Sequence, residues 1–325
     1  MTPAGFDRRQ LLKVACACAL WGLIPTSSRG QPADGAKRIL LVHGRGQGGQ
    51  NPETLKGQWI GALKRGAQAL GRELHADVDV AFPFYGDALD EFVRQFAIPL
   101  TSDVNARGRP IDDEFLQFQA EFAEEVRVGA GVTDAQVDAE YGNDPTPRGP
   151  LNWRWVQAIL RAIDKSETGM NQRTLEAFTR DVFLYTTRPN VRTEINKIVA
   201  AKLTEEPTVV VGHSLGSVVA YSVLRTDPRP LRVPVFVTVG SPLAVRAVRK
   251  SFQPLEYPHP VGAWYNAFDT RDVVALYPLD AENFAVDPPI ENNSTVRNAT
   301  DNRHGIVGYL DDRGVAKRIL DGLAG

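Results

Sequence analysis

Four stretches of nearly continuous apolar residues stand out along the chain: Arg38–Val42 (RILLV), Thr208–Val211 (TVVV), Pro234–Val239 (PVFVTV) and Trp264–Phe268 (WYNAF). A β-favouring run without polar alternation is what a strand buried on both faces shows, as in a parallel sheet. Asp77–Tyr85 (DVDVAFPFY) alternates and reads as a further strand, and Asp181–Tyr185 (DVFLY) as a short strand or strand-like segment. Between these runs apolar residues recur at helical spacing. Leu55, Trp59, Ala62 and Leu63 form one such set, with Asn51 placed to cap the helix and Pro52 at its first position. Leu89, Phe92, Val93 and Phe96 form another, and Val191–Leu203, the run after Ser214 to Leu224, and Arg313–Leu323 complete the pattern. Strands alternating with helices predict an α/β domain over 37–325, with a mostly parallel central sheet and helices on both faces.

The alternation breaks between Thr101 and Phe178. Two helical patterns occupy this region, one with Phe115, Leu116, Phe118, Phe122 and Val126, the other with Trp153, Val156, Ile159, Leu160 and Ile163. Tyr141–Pro150 (YGNDPTPRGP) lies between them and is a loop by composition. Because 101–178 falls between strands of the expected sheet, it reads as a helical cap insertion that sets what fits beneath it. Additional core helices are the alternative.

The N-terminus is not part of this pattern. Asp7-Arg8-Arg9-Gln10-Leu11-Leu12-Lys13 precedes a short apolar run, Val14–Pro25, and then a polar stretch. That is the layout of a signal peptide, and the paired arginines resemble the twin-arginine type, with Asp7 and Leu11 as departures. Residues 1–36 are therefore expected to be signal peptide and linker, cleaved within Ser28–Ala36. Export through the twin-arginine machinery to the periplasm or the exterior follows. The apolar run is too short to span a bilayer, so no stable transmembrane segment is expected. Both cysteines, Cys16 and Cys18, fall in the removed part, leaving the exported chain without thiol or disulfide. The formal net charge of −2 gives no cue for nucleic acid.

The chemistry is concentrated at two strand ends. Thr208–Val211 runs into Gly212-His213-Ser214-Leu215-Gly216 and then a helix, a strand–turn–helix with G-x-S-x-G at the turn. Such a turn strains the backbone at the serine and holds its hydroxyl above the sheet edge. Arg38–Val42 likewise ends in His43-Gly44-Arg45-Gly46-Gln47-Gly48-Gly49. Gly44, Gly46 and Gly49 match the dinucleotide-binding G-x-G-x-x-G, with Asp77 or Asp79 as the ribose acid. In that motif the third glycine packs within the helix, whereas this helix starts afterwards, at Asn51-Pro52. The alternative use of the loop is as an oxyanion donor, through the backbone N–H of Arg45.

A serine hydroxyl needs a base, and the base needs an orienting acid. In sheet enzymes the order is Ser, acid, His. Of His43, His75, His213, His259 and His304, only His304 follows the strand Trp264–Phe268 whose end should carry the acid. His43 and His213 read as local packing, and His75 and His259 have no role. No cluster has metal-ligand spacing, and neither metal nor cofactor is expected.

The glycine-rich HG loop, the GHSLG turn, the T-x-G-S-P strand end, N-x-x-D-x-x-D-V-V and the late histidine together resemble the α/β-hydrolase superfamily, on its lipase and esterase side. The resemblance covers roughly Arg38–Leu323 apart from the insertion. It implies an α/β-hydrolase fold and hydrolysis of a small-molecule or lipid carboxylic ester through an acyl-Ser214 intermediate, with Arg45 and Leu215 supplying the oxyanion N–H groups. Asp269 and Asp272 both lie past the strand. Lipase-like members place the acid before a short apolar pair, as Asp272 stands before Val273-Val274, so Asp272 is the expected acid and Asp269 the alternative. A serine peptidase or thioesterase would share every motif. A non-catalytic binding protein on the same scaffold is a further alternative.

Overall fold

The computed structural model describes residues 36–103, 112–166 and 169–324. The expected signal peptide, its cleavage region up to residue 35, Cys16 and Cys18 lie outside the described residues.

Six parallel strands form one sheet: β1 (Arg38–Val42), β2 (Asp79–Ala81), β3 (Thr208–His213), β4 (Val233–Val239), β5 (Val261–Ala267) and β6 (Glu291–Asn293), in the order β2-β1-β3-β4-β5-β6. The four apolar runs are the four inner strands, as burial on both faces requires. The register aligns their C-terminal ends, Val42 opposite Gly212, His213 opposite Val239, and Val239 opposite Ala267. The residues just past those ends therefore share one edge of the sheet, whatever their separation in sequence.

Of the expected strand Asp77–Tyr85 only Asp79–Ala81 pairs. Pro83 has no N–H to donate, and the chain turns away before it. The outer strand β6 is short and polar and carries no apolar signal in the sequence.

Among the described residues eleven α-helices cover the sheet. On one face lie α1 (Pro52–Gln68), α10 (Ile306–Leu310) and α11 (Arg313–Ala324), packed with Ile39, Leu41, Val209, Val211, Val235 and Val237. The other face buries Leu40, Val42, Val210 and Phe236 under the remaining helices. These are α2 (Gly86–Phe96), α3 (Asp113–Gly129), α4 (Asp134–Tyr141), α5 (Trp153–Asp164), α6 (Gln172–Thr187), α7 (Pro189–Ala200), α8 (Leu215–Thr226) and α9 (Arg246–Arg249). Alternate residues of β1 thus serve two separate cores, as the period of a strand dictates.

Asp181–Tyr185 is not a strand; it lies within α6, begun by the Asn171 side chain accepting the Thr174 N–H. Leu175, Phe178, Val182 and Tyr185 fall on one helical stripe, and Phe183 and Leu184 on the opposite side are buried as well. A helix enclosed on all sides loses the polar face that would mark its period. The β-favouring residues in it then mimic a short buried strand. Helices α3 to α6 share the core of the sheet face they cover, with Phe115, Phe122, Val156 and Phe178 in the same apolar cluster as Val42 and Val210.

Candidate active site

Strand β3 ends directly at Ser214, whose backbone sits at φ 55° and ψ −130°, and α8 starts at the next residue. The turn is held by the Ser214 N–H, which donates to the Val239 carbonyl at 3.1 Å. It also depends on small neighbours. A Cβ on Gly216 would come within 2.2 Å of the Val42 carbonyl oxygen, and one on Gly212 within 2.7 Å of the Ser217 Cα. Those backbone atoms cannot yield, so the G-x-S-x-G spacing is steric in origin.

Three of the residues expected at the site meet here. His304 Nε2 lies 2.8 Å from Ser214 Oγ, and His304 Nδ1 lies 2.7 Å from Asp272 Oδ2. All three are buried. With Nδ1–H donating to the carboxylate, Nε2 is left as the acceptor for the serine hydroxyl. Asp272 is fully enclosed, its Oδ1 accepting the Val274 N–H at 3.0 Å. The Tyr309 hydroxyl donates to Asp272 Oδ2 at 2.6 Å, and burial, with the Asp272 charge adding, pushes its pKa well above the ordinary phenol value.

Asp269 does something different. It does not reach His304 but accepts the Arg271 N–H and guanidinium and, through Oδ2, the Asn298 N–H at 2.8 Å. Burial alone would raise its pKa, yet those bonds, led by Arg271, outweigh it and hold the carboxyl below its ordinary value. Asn298 in turn donates to the Gly305 carbonyl and accepts from Thr300, so Asp269 anchors the loop that presents His304.

Two other histidines support the backbone. The Tyr85 N–H donates to His43 Nε2 at 3.1 Å, which fixes Nδ1–H as the donor to the Gly44 carbonyl at 2.7 Å. The imidazole stacks on the Tyr85 ring at 4.1 Å, and burial lowers its pKa to about 4. His213 Nε2–H donates to the His304 carbonyl at 2.7 Å, and burial keeps this ring neutral, well below its ordinary pKa. Local packing, the sequence expectation for both, thus takes the form of clamps on the two loops that flank Ser214.

A Cβ on Gly44 would lie 3.0 Å from Ser214 Cβ, so the loop from His43 to Arg45 passes directly against the serine. Leu215 is the first residue of α8, where a helix leaves its N–H groups without intrahelical partners. The dinucleotide reading has no support in this geometry. Asp79 opens β2 and pairs with Arg38 at 3.0 Å, at the opposite end of the sheet from Gly44. The N–H of Gly49 is held by Asp87 at 2.7 Å.

A pocket of about 360 Å³ opens over Ser214 and His304, lined by Arg45, Gln47, Gln58, Trp59, Phe178 and Asn302 among others. Among the described residues of the 101–178 segment only Met170, Thr174 and Phe178 reach it; the Tyr141–Pro150 loop does not. Among the described residues no group of three or more His, Cys, Asp or Glu is arranged to hold a metal ion, and no helix is long and apolar enough to cross a membrane.

Sequence reasoning missed Tyr309 and Asn298. Neither belongs to a short motif; both are recruited by the return of the chain through β6 and α10. Comparison with protein-family models gives no match, and neither does comparison with the curated proteins.

Proposed function

We propose that the protein is a serine hydrolase of the α/β-hydrolase superfamily, esterase- or lipase-like, that cleaves a carboxylic ester through an acyl-Ser214 intermediate. The observation that carries this reading is the continuous line from Ser214 Oγ to His304 Nε2 at 2.8 Å and from His304 Nδ1 to Asp272 Oδ2 at 2.7 Å, open to a pocket. In the proposed reaction His304 takes the Ser214 proton as the oxygen attacks the ester carbonyl. The N–H groups of Arg45 and Leu215 receive the oxyanion, and the positive end of α8 adds to their field. His304 then returns the proton to the departing alcohol. Water, deprotonated by the same nitrogen, releases the acid. Asp272 holds the imidazole tautomer and stabilises the imidazolium in both halves.

The test is a fluorophosphonate probe with ester turnover read alongside. Wild type should label on one serine and hydrolyse simple esters, and Ser214→Ala should do neither while remaining folded. Labelling that persists in Ser214→Ala would refute the assignment. Export by the twin-arginine route is part of the same proposal, supported by Arg8-Arg9 ahead of the weak apolar run. Replacing both by Lys should retain the protein in the cytoplasm, and undiminished export would point to the general secretory route.

A further inference from the structure

Arg45 enters the pocket from the loop beside Ser214 and is held from behind. Its Nε donates to Asp181 Oδ2 at 2.5 Å, and Asp181 is 1% exposed. The same carboxylate faces Arg180, at 3.2 Å from Oδ1. Two guanidinium groups thus share one carboxylate, and the pair carries a residual positive charge. Arg180 is not part of the pocket wall, whereas Arg45 is.

The bond to Asp181 occupies only the Nε edge of Arg45. No hydrogen bond leaves its two amino groups among the described residues, and neither is sealed from solvent without a partner. No Asp or Glu lines the pocket among the described residues; beyond Ser214 and the histidines, the polar side chains of the wall are Gln47, Gln50, Gln58, Thr174 and Asn302. A fixed cation with open donors, ringed by amides and without a competing anion, is a receptor for an anionic group.

We propose that Arg45 binds a carboxylate carried by the substrate, so that the pocket selects a carboxylate-bearing ester over a neutral one. This rests on the hydrolase reading of Ser214. A phosphate dianion fits less well, because the wall offers a single cation and phosphate sites ordinarily combine several donors or charges. The position of Arg45 next to Gly44 puts its side chain within the same pocket as the reacting carbonyl, so the anion and the scissile bond belong to one small molecule. Asp181 is then a positioning residue. It aims the guanidinium and keeps it from folding back onto the protein.

The experiment compares isosteric pairs that differ in charge. On the acyl side these are the monophenyl ester of adipic acid and its neutral adipamic counterpart; on the alcohol side, 4-acetoxybenzoate and 4-acetoxybenzamide. Each rate is divided by that of alkaline hydrolysis. Wild type should prefer the carboxylate of at least one pair by about tenfold or more in kcat/KM, as a charge-assisted bond implies. Arg45→Gln should bring that ratio close to one, and Arg45→Lys should restore part of it. Equal rates within both pairs in wild type, or an Arg45→Gln loss that is the same for charged and neutral esters, would overturn the proposal. Binding of the same esters to Ser214→Ala, measured by calorimetry, reads the anion site without chemistry. A charge preference there that Arg45→Gln removes, with no hydrolysis by wild type, would leave the anion site standing and sink the hydrolase reading. Turnover without any charge preference would do the reverse.

Discussion

Tyr309 Oη and His304 Nδ1 both donate to the same oxygen of Asp272, at 2.6 and 2.7 Å. The tyrosine also accepts the Asp269 N–H at 3.3 Å, which ties the two acidic residues of the strand end together through one phenol. Gly240 makes room for this arrangement. A Cβ there would stand 3.0 Å from the Tyr309 ring and 3.3 Å from Asp272 Oδ2.

Tyr309→Phe should therefore lower kcat while leaving KM nearly unchanged, since Tyr309 does not line the pocket. Loss of one buried hydrogen bond to a charged group suggests a fall of roughly tenfold. The discriminating readout is a double-mutant cycle. If Tyr309 acts by positioning Asp272, its removal should cost little further in an Asp272→Asn background. Fully multiplicative losses would show that it acts elsewhere.

Asp272→Asn and Asp269→Asn should separate cleanly. The first presents an amide to His304 Nδ1 and favours the wrong tautomer, for which a loss of about 10² or more in kcat is expected. The second keeps the Ser214–His304–Asp272 hydrogen bonds but weakens the Asn298 anchor and the Arg271 pair, costing about 1–2 kcal/mol of stability with a smaller effect on turnover. Measuring kcat and urea midpoints for both variants checks this, and a crippled Asp269→Asn beside a mild Asp272→Asn would reverse the roles.

Position alone could not have made that distinction. Both aspartates follow β5 within a single turn, and which one faces His304 depends on where β6 and the 298–305 loop return. Those segments are polar and irregular, so they leave no periodic trace in the sequence. The inner strands were legible because burial on both faces demands unbroken apolar runs. The Ser214 turn was legible because its glycines answer to backbone atoms that no other residue would clear. Helix α6 was not, because enclosure on every side erased its polar stripe. Asp181, the residue that holds Arg45, was misread with it.

The buried histidines give the fold a pH dependence of known sign. His43 titrates at about 4 when folded, against its ordinary 6.5, mainly through burial. Between those values the unfolded chain takes up a proton that the folded protein refuses, so stability is full above pH 6.5 and falls as the pH drops towards 4. For His43 alone the loss between pH 7.5 and pH 5 comes to about 2 kcal/mol. His213 shifts in the same direction. Urea unfolding of wild type and His43→Gln at the two pH values should show a shallower decline in the variant. An identical decline would mean that His43 takes up its proton as readily in the folded protein as in the unfolded chain.

Ser214 itself should be a site where activity and stability conflict. Its φ of 55° with ψ of −130° lies where a residue with a Cβ is strained and glycine is not. Such a conformation costs about 1–3 kcal/mol, held in place by the packing of Gly212 and Gly216 and by the Val239 carbonyl. Ser214→Ala and Ser214→Gly both lose the hydroxyl and its bond to His304, so alanine is the proper reference for glycine. Glycine relieves the strain but gives its unfolded chain more freedom, which returns about 0.5–1 kcal/mol of the gain. The net expectation is that Ser214→Gly is the more stable of the two inactive variants by about 1 kcal/mol, or about 2 °C in Tm for a chain of this size. Calorimetric melting of the pair decides the matter. A glycine variant that melts below the alanine variant would mean that the turn is relaxed and that the serine is held there without strain.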